Sequence, residues 1–404
     1  MVDQSECAFR LLSRELGTDL AYTPMLHARL YTEVSAYRDQ HFDPAPADEP
    51  LIAQLAGHDP KVVLKAAQMV EGDVTAVDLN FGCPQGIARK GRYGAFLLDE
   101  PDTMVSLVST LARELSIPVT AKLRLLPSGS DGRTPSYAES VDLCRRLEDA
   151  GASALAVHGR TREQNKQNSG RADWDAIGRV VQAVGIPVIA NGGIGTRQDV
   201  DACLAQTGAA AVMSSEGLLE NPALFCANIH PTTRAYLDQD ALAARYLAIC
   251  SEHPPCKGAA MVRGHLFKIL HHGLRSHPDL RDELLVARTL AEMAGVTSRL
   301  AERNWSQPAF HTPDARPELS WYARHQQAAG EVGGRVGGGT SKETSTEGDI
   351  DEVSKPSAED VAKAALARRE RKANERKRRN RNRGQGTRKQ RAAQRTPAAF
   401  MSAT

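Results

Sequence analysis

From the first residue to about position 230 the chain alternates short apolar runs with amphipathic stretches at a period of roughly 25 to 35 residues. That alternation limits the fold more than any other feature. Strands are predicted over Leu20–Leu26, Leu51–Ala56, Ala76–Phe81, Val119–Leu125, Ala154–His158, Val188–Asn191 and Ala210–Ser214. Helices follow, among them Lys61–Glu71 behind Asp59-Pro60, Asp102–Leu115 behind Pro101, Ser136–Ala150 ended by Gly151, and Trp174–Val184 ended by Gly185. The chain opens with a helix, Glu6–Leu16 stopped by Gly17, that has no strand before it. Seven strands and eight helices, helix first, is the α/β pattern of a (β/α)8 TIM barrel without its first strand, because closure takes eight. An open doubly wound sheet is the structural alternative, since periodicity does not report closure.

The barrel segment is expected over 1–233. Over 234–305 the strand pattern stops, and three apolar-periodic segments (Arg234–Ser251, Val262–Leu274, Leu280–Ala294) predict a small helical domain. Residues 306–404 read as a disordered linker, with Gly330–Gly339 its most flexible stretch, and a basic tail. Positions 361–395 hold 15 Lys/Arg against Glu370 and Glu375. A whole-chain charge of +2 therefore hides an acidic body, at roughly −11, and a tail suited to a polyanion. No run reaches the roughly 18 apolar residues of a membrane span, and the N-terminus lacks the layout of a signal peptide. The seven cysteines are scattered and form no C-x-x-C pair, which argues against disulfides and metal. The expectation is a soluble cytoplasmic or nuclear monomer.

In such a barrel, reactive groups stand at the C-terminal strand ends. Here those ends carry Gln54, then Asp78 to Pro84, then Lys122 and Arg124, then His158 and Arg160, then Asn191-Gly192-Gly193, then Ser215-Glu216. Polar side chains inside apolar strands cost about 1 to 3 kcal/mol each when unpaired, so they are expected to share a polar ligand. The glycine turns after the last two strands fall where these barrels bind phosphate through backbone N–H groups. With phosphate there, Lys122, Gln54 and His158 would face a planar group over the barrel mouth, and flavin mononucleotide (FMN) fits that layout. Cys83 begins a segment with three glycines and the cations Arg89, Lys90 and Arg92, a composition that permits motion and suits a phosphate backbone.

The strings DLNFGCPQ (78–85), AKLR (121–124), VHGRTR (157–162) and ANGGI (190–194) resemble the flavin-dependent tRNA-dihydrouridine synthases. YTPMLHA (22–28), CPQGIARKGRYGAFL (83–97), VMSSEG (212–217) and VRGHLFK (262–268) are similar to the eukaryotic branch acting on D-loop positions 16 and 17. The resemblance covers about residues 1 to 300. It implies FMN and NADPH as cofactors and the D-loop of tRNA as partner. By resemblance Cys83 is the general acid, Asn80 and Arg160 help hold the uracil, and Lys122 and His158 contact flavin and base. Gln54 would bond the flavin ring, while Asn191, Gly192, Gly193, Ser215 and Glu216 would hold its phosphate. Met1 and Val2 stand where the family's first strand ends against the flavin, and the rest of that strand is missing. An incomplete gene model is expected in preference to a damaged barrel.

The chemistry fits those side chains. Reducing the uracil C5–C6 bond takes a hydride at C6 and a proton at C5, and a free thiol with an ordinary pKa near 8.5 is protonated at pH 7. Two alternatives stand beside this reading: an FMN barrel oxidoreductase acting on a free small molecule, of the dihydroorotate dehydrogenase kind, and a non-catalytic RNA-binding protein on a decayed barrel. The helical domain and basic tail have no use with a small substrate.

Overall fold

The computed structural model describes residues 4–165, 169–226 and 239–303. Its sheet consists of β1 (Ala21–Tyr22), β2 (Leu26–His27), β3 (Leu51–Ala56), β4 (Ala76–Phe81), β5 (Val119–Leu125), β6 (Ala154–Thr161), β7 (Val188–Asn191) and β8 (Ala211–Met213). Every ladder is parallel, and the strands follow one another in the order β1, β3, β4, β5, β6, β7, β8, with β2 also on β3. Helices return the chain between successive strands, which is the layout of a (β/α)8 TIM barrel. Among the described residues no ladder joins β8 to β1 or β2. β3 is buried along its whole length, as parallel strands covered on both faces are, whereas β8 is partly exposed.

The first predicted strand, Leu20–Leu26, is two short pieces because Pro24 has no N–H for a ladder. The Thr23 hydroxyl fills in, accepting the Gln54 backbone N–H at 3.1 Å. β6 runs three residues past the predicted end. A register shift opposite Arg124 and Leu125 places Gly159 and Arg160 as extra residues, and Gly159 passes so close to Asp173 that a Cβ would lie 2.7 Å from its carbonyl oxygen.

The sheet and its helices share one apolar core that includes Leu55, Leu79, Phe81, Leu123, Leu155 and Ile177. A second core joins the helices Gln239–Glu252, Ala259–Ile269, His271–Ser276, Pro278–Val286 and Leu290–Glu302. The apolar periodicity predicts three segments here. Five helices form because Leu270 ends one and a Thr289/Glu292 capping box starts another. The opening helix, Cys7–Glu15, packs into this second core rather than onto the sheet. Glu6, just before it, accepts the Tyr246 hydroxyl and lies 2.8 Å from His265 Nε2, and its Arg10 and Arg14 pair with the buried Asp48. The expected linker and basic tail lie outside the described residues, as do Met1 and Val2. No helix among the described residues is long and apolar enough to cross a membrane.

Candidate active site

Ladder register assembles the site. Gln54, Asp78 and Thr120 are cross-strand neighbours on β3, β4 and β5, Asn80 pairs with Lys122, and Arg124, His158, Asn191 and Met213 form one row across β5 to β8. Alternation then turns Asp78 with Asn80, and Thr120 with Lys122 and Arg124, to one face.

Several polar groups expected to share a ligand satisfy one another. Gln54 donates from Nε2 to Asp78 Oδ2 at 2.8 Å and accepts from Asn80 Nδ2 at 2.7 Å, and Thr120 donates to Asp78 Oδ1 at 2.7 Å. Asn80 Oδ1 accepts the backbone N–H groups of Gly82 and Cys83 at 3.1 and 3.0 Å. Lys122 is different: among the described residues its ammonium makes no hydrogen bond or ion pair. Burial and the neighbouring Arg124 push its pKa down to about 8, with Asp78 and Cys83 pulling the other way. The side chain is deep among protein atoms yet keeps some accessible surface.

Cys83 is half-buried and held from both sides. Its carbonyl accepts the Ala95 N–H at 3.0 Å, and Gly94, at φ +65°, comes so near that a Cβ would lie 2.7 Å from that oxygen. Arg124 braces the turn from behind, with Nε donating to Gly82 O at 2.8 Å and Nη1 to the carbonyls of Thr161 and Gln164 at 2.8 and 3.1 Å. The segment after Cys83, whose glycines predict motion, contains the helix Gly86–Gly91, seated by the buried Ala88 and Tyr93. Arg89 and Lys90 are exposed on it, while Arg92 pairs with Glu100 at 2.9 Å.

Opposite, Arg160 donates from Nε and Nη2 to Gly170 O at 3.0 and 2.8 Å, and its Nη1 is 3.0 Å from His158 Nε2. Burial lowers the pKa of Arg124 and of Arg160 to about 10, with Glu216 acting in the opposite sense on both. Asn191 donates to Met213 O at 2.9 Å, linking β7 to β8. Gly192 and Gly193 have φ of +103° and +78°, and a Cβ on Gly192 would meet the His158 ring at 2.7 Å. Ser214 donates to Ile194 O at 2.8 Å, and a Cβ on Gly217 would lie 2.6 Å from the same oxygen, so the two glycine turns touch. The backbone N–H groups of Gly195 and Thr196, however, are already taken by Asp199.

The structure thus brings Gln54, Asn80, Cys83 and Lys122 together on one side and His158, Arg160, Asn191, Gly192, Gly193, Ser215 and Glu216 on the other. Asp78 and Arg124, which the sequence places among the polar strand ends without a specific role, and Thr120, which it passes over, also make site contacts. Their signal is present in it: by period two they share faces with Asn80 and Lys122.

A family model described as dihydrouridine synthase matches residues 1–308. A protein of Rattus norvegicus is 44% identical over 327 residues, covering 80% of this chain and 71% of the relative. One from Saccharomyces cerevisiae is 41% identical over 293 residues, 70% of this chain and 67% of its own, and one from Schizosaccharomyces pombe 40% over 291 residues, 70% and 71%. All three are named as NAD(P)(+)-linked tRNA-dihydrouridine(16/17) synthases, the rat protein with the suffix "-like".

Proposed function

The chain belongs to the dihydrouridine synthase family, and from that premise we propose that it reduces the C5–C6 double bond of uridines 16 and 17 in the tRNA D-loop, using NADPH and a bound FMN. The observation that carries this reading is the Lys122 ammonium, deep in the mouth beside Cys83 and without a hydrogen-bonding partner among the described residues. Such a group calls for an electron-rich ligand.

The residues present fit FMN. Lys122 and His158 offer polar contacts to its ring system, with Gln54 on the β3 side, and a phosphate would be held at the touching turns of Gly192-Gly193, both at positive φ, and Ser215-Glu216. Reduced FMN, when bound, supplies the hydride that arrives at uracil C6. Cys83 Sγ–H gives its proton to C5, so the carbon–carbon π bond is replaced by two C–H bonds. Charge built up on the uracil carbonyl is met by the Lys122 ammonium, a placed donor worth roughly 3 to 4 kcal/mol in such a setting. Arg160 and Asn80 border the space left for the base, and Arg89 and Lys90 face solvent beside Cys83, where a nucleic-acid backbone would pass. A D-loop nucleotide loses little stacking when it turns into that mouth.

The test is to map dihydrouridine in tRNA from cells lacking the protein. Loss at positions 16 and 17, restored by the wild-type gene, is expected. Unchanged modification there overturns the reading.

A further inference from the structure

Asp78 lies in the middle of β4, fully buried, with no role in the chemistry above. A carboxylate can only accept hydrogen bonds, whereas an amide can present either end. With Asp78 ionised, Gln54 must turn Nε2 toward it, which leaves Gln54 Oε1 to face Asn80. Asn80 must then give its Nδ2 to Gln54, leaving Oδ1 for the N–H groups of Gly82 and Cys83. The amides in this relay are oriented from both ends, by the acceptor-only carboxylate of Asp78 and by the donor-only N–H groups of Gly82 and Cys83.

We propose that Asp78 is a positioning residue, acting through Gln54 and Asn80 to hold the Cys83 turn and so to set how the Cys83 thiol is presented. If Asp78 is neutralised, the charge-assisted bond that holds Gln54 Nε2 is weakened, and with it the Gln54–Asn80 bond that steadies Asn80 Oδ1 against the two backbone N–H groups. The groups facing Asp78 are Gln54 from β3, Thr120 and the Lys122 ammonium from β5, and the Tyr22 phenol from β1. Tyr22 is itself pushed up by burial and stays neutral. Burial pushes Asp78 up to about 6, against the pull of Gln54, Thr120 and Lys122. Loss of the Asp78 charge near pH 6 therefore removes the charge-assisted end of the relay.

The inference rests on Cys83 being the acid, but its test is independent of turnover. In the full-length protein without tRNA, alkylation of Cys83 by iodoacetamide is followed on its own peptide by mass spectrometry. Asp78→Asn, nearly the same shape, is expected to speed alkylation at pH 7.5 by roughly tenfold, the population change that losing one hydrogen bond's restraint brings. It is also expected to lower kcat on tRNA at unchanged KM. Thr120→Val removes only the hydroxyl that helps keep Asp78 ionised, so once the fall in thiolate fraction with pH, measured on a free cysteine peptide, is divided out, the pH below which Cys83 alkylation rises above that reference should move upward; this variant decides the matter if Asp78→Asn does not fold. Wild-type alkylation in Asp78→Asn, or an unmoved pH dependence in Thr120→Val, overturns the proposal. Full dihydrouridine formation by Cys83→Ala would instead overturn the assignment of the acid and leave the alkylation result standing.

Discussion

Arg160 Nη1 lies 3.0 Å from His158 Nε2. A guanidinium only donates, so in this contact Nε2 is the acceptor and the ring proton is assigned to Nδ1. Arg160 is held for this by two bonds to Gly170 O, and the extra residues of β6 bring it to the same face as His158. Arg160→Met should leave the fold intact and free the ring to change tautomer. Dihydrouridine formation is expected to fall by about 10²-fold, the usual cost of a misplaced group near the chemistry. Single-turnover reduction of tRNA measures the loss, and nitrogen NMR of His158 should show mixed tautomers. A single unchanged tautomer with full turnover would remove Arg160 from this role.

Cys83 gives a cleaner separation of the two half-reactions. Cys83→Ala should still bind FMN and still be reduced by NADPH, because that step uses no acid toward uracil. Dihydrouridine formation should drop by roughly 10²- to 10⁴-fold, as for a lost general acid. Stopped-flow reduction of the flavin and product analysis of tRNA read the two steps separately, and turnover at the wild-type rate contradicts the assignment.

Where the local pattern alone decides, the sequence suffices. Leu51–Ala56, Ala76–Phe81 and Val119–Leu125 are strands over those same residues because apolar runs bounded by turn residues leave no competing periodicity. Leu20–Leu26 breaks because Pro24 and the Thr23 hydroxyl rewrite the ladder, a side-chain bond that periodicity does not encode. The destination of Glu6–Leu16 is equally hidden: its apolar face does not say which core it enters, and its partners Tyr246 and His265 are about 240 and 260 residues away. At the site, residue types are legible but their pairing is not. Gln54 and Asn80 read as ligand contacts and are bonded to each other because Asp78 orients them, which only cross-strand register reveals.

The basic segment at 361–395 is expected to bear on affinity rather than chemistry. If a body at roughly −11 gains its pull on tRNA from a tail at net +13, removing the tail is read in binding. Deleting residues 354–404 should weaken tRNA binding and flatten its salt dependence while FMN content holds. Each phosphate that the tail no longer neutralises takes about 0.7 to 0.9 off the log–log slope, so a tail using five cations changes it by roughly 4. Titrations of both proteins between low and moderate salt test this. Equal slopes would assign the binding to the body's own cations, Arg89 and Lys90 among them.

Lys122 ties activity to a stability cost. Its pKa of about 8, against an ordinary 10.5, means that folding disfavours its charged form. At pH 7 both folded and unfolded chains hold the proton, so the full penalty, up to about 3 kcal/mol, applies. Between pH 8 and 10.5 the unfolded chain holds the proton more tightly than the folded one, and stability from this group rises with pH until the penalty is gone. Lys122→Met, an apolar side chain of similar length, should therefore raise the melting temperature of the flavin-free protein at pH 7, by an amount that shrinks toward pH 10. The same substitution should cut dihydrouridine formation by roughly 10²- to 10³-fold, since the donor to the uracil carbonyl is gone. Thermal melts at both pH values, paired with product analysis, separate the effects. A variant that melts lower at pH 7, or gains equally at both pH values, would show that the Lys122 charge is not disfavoured in the folded mouth.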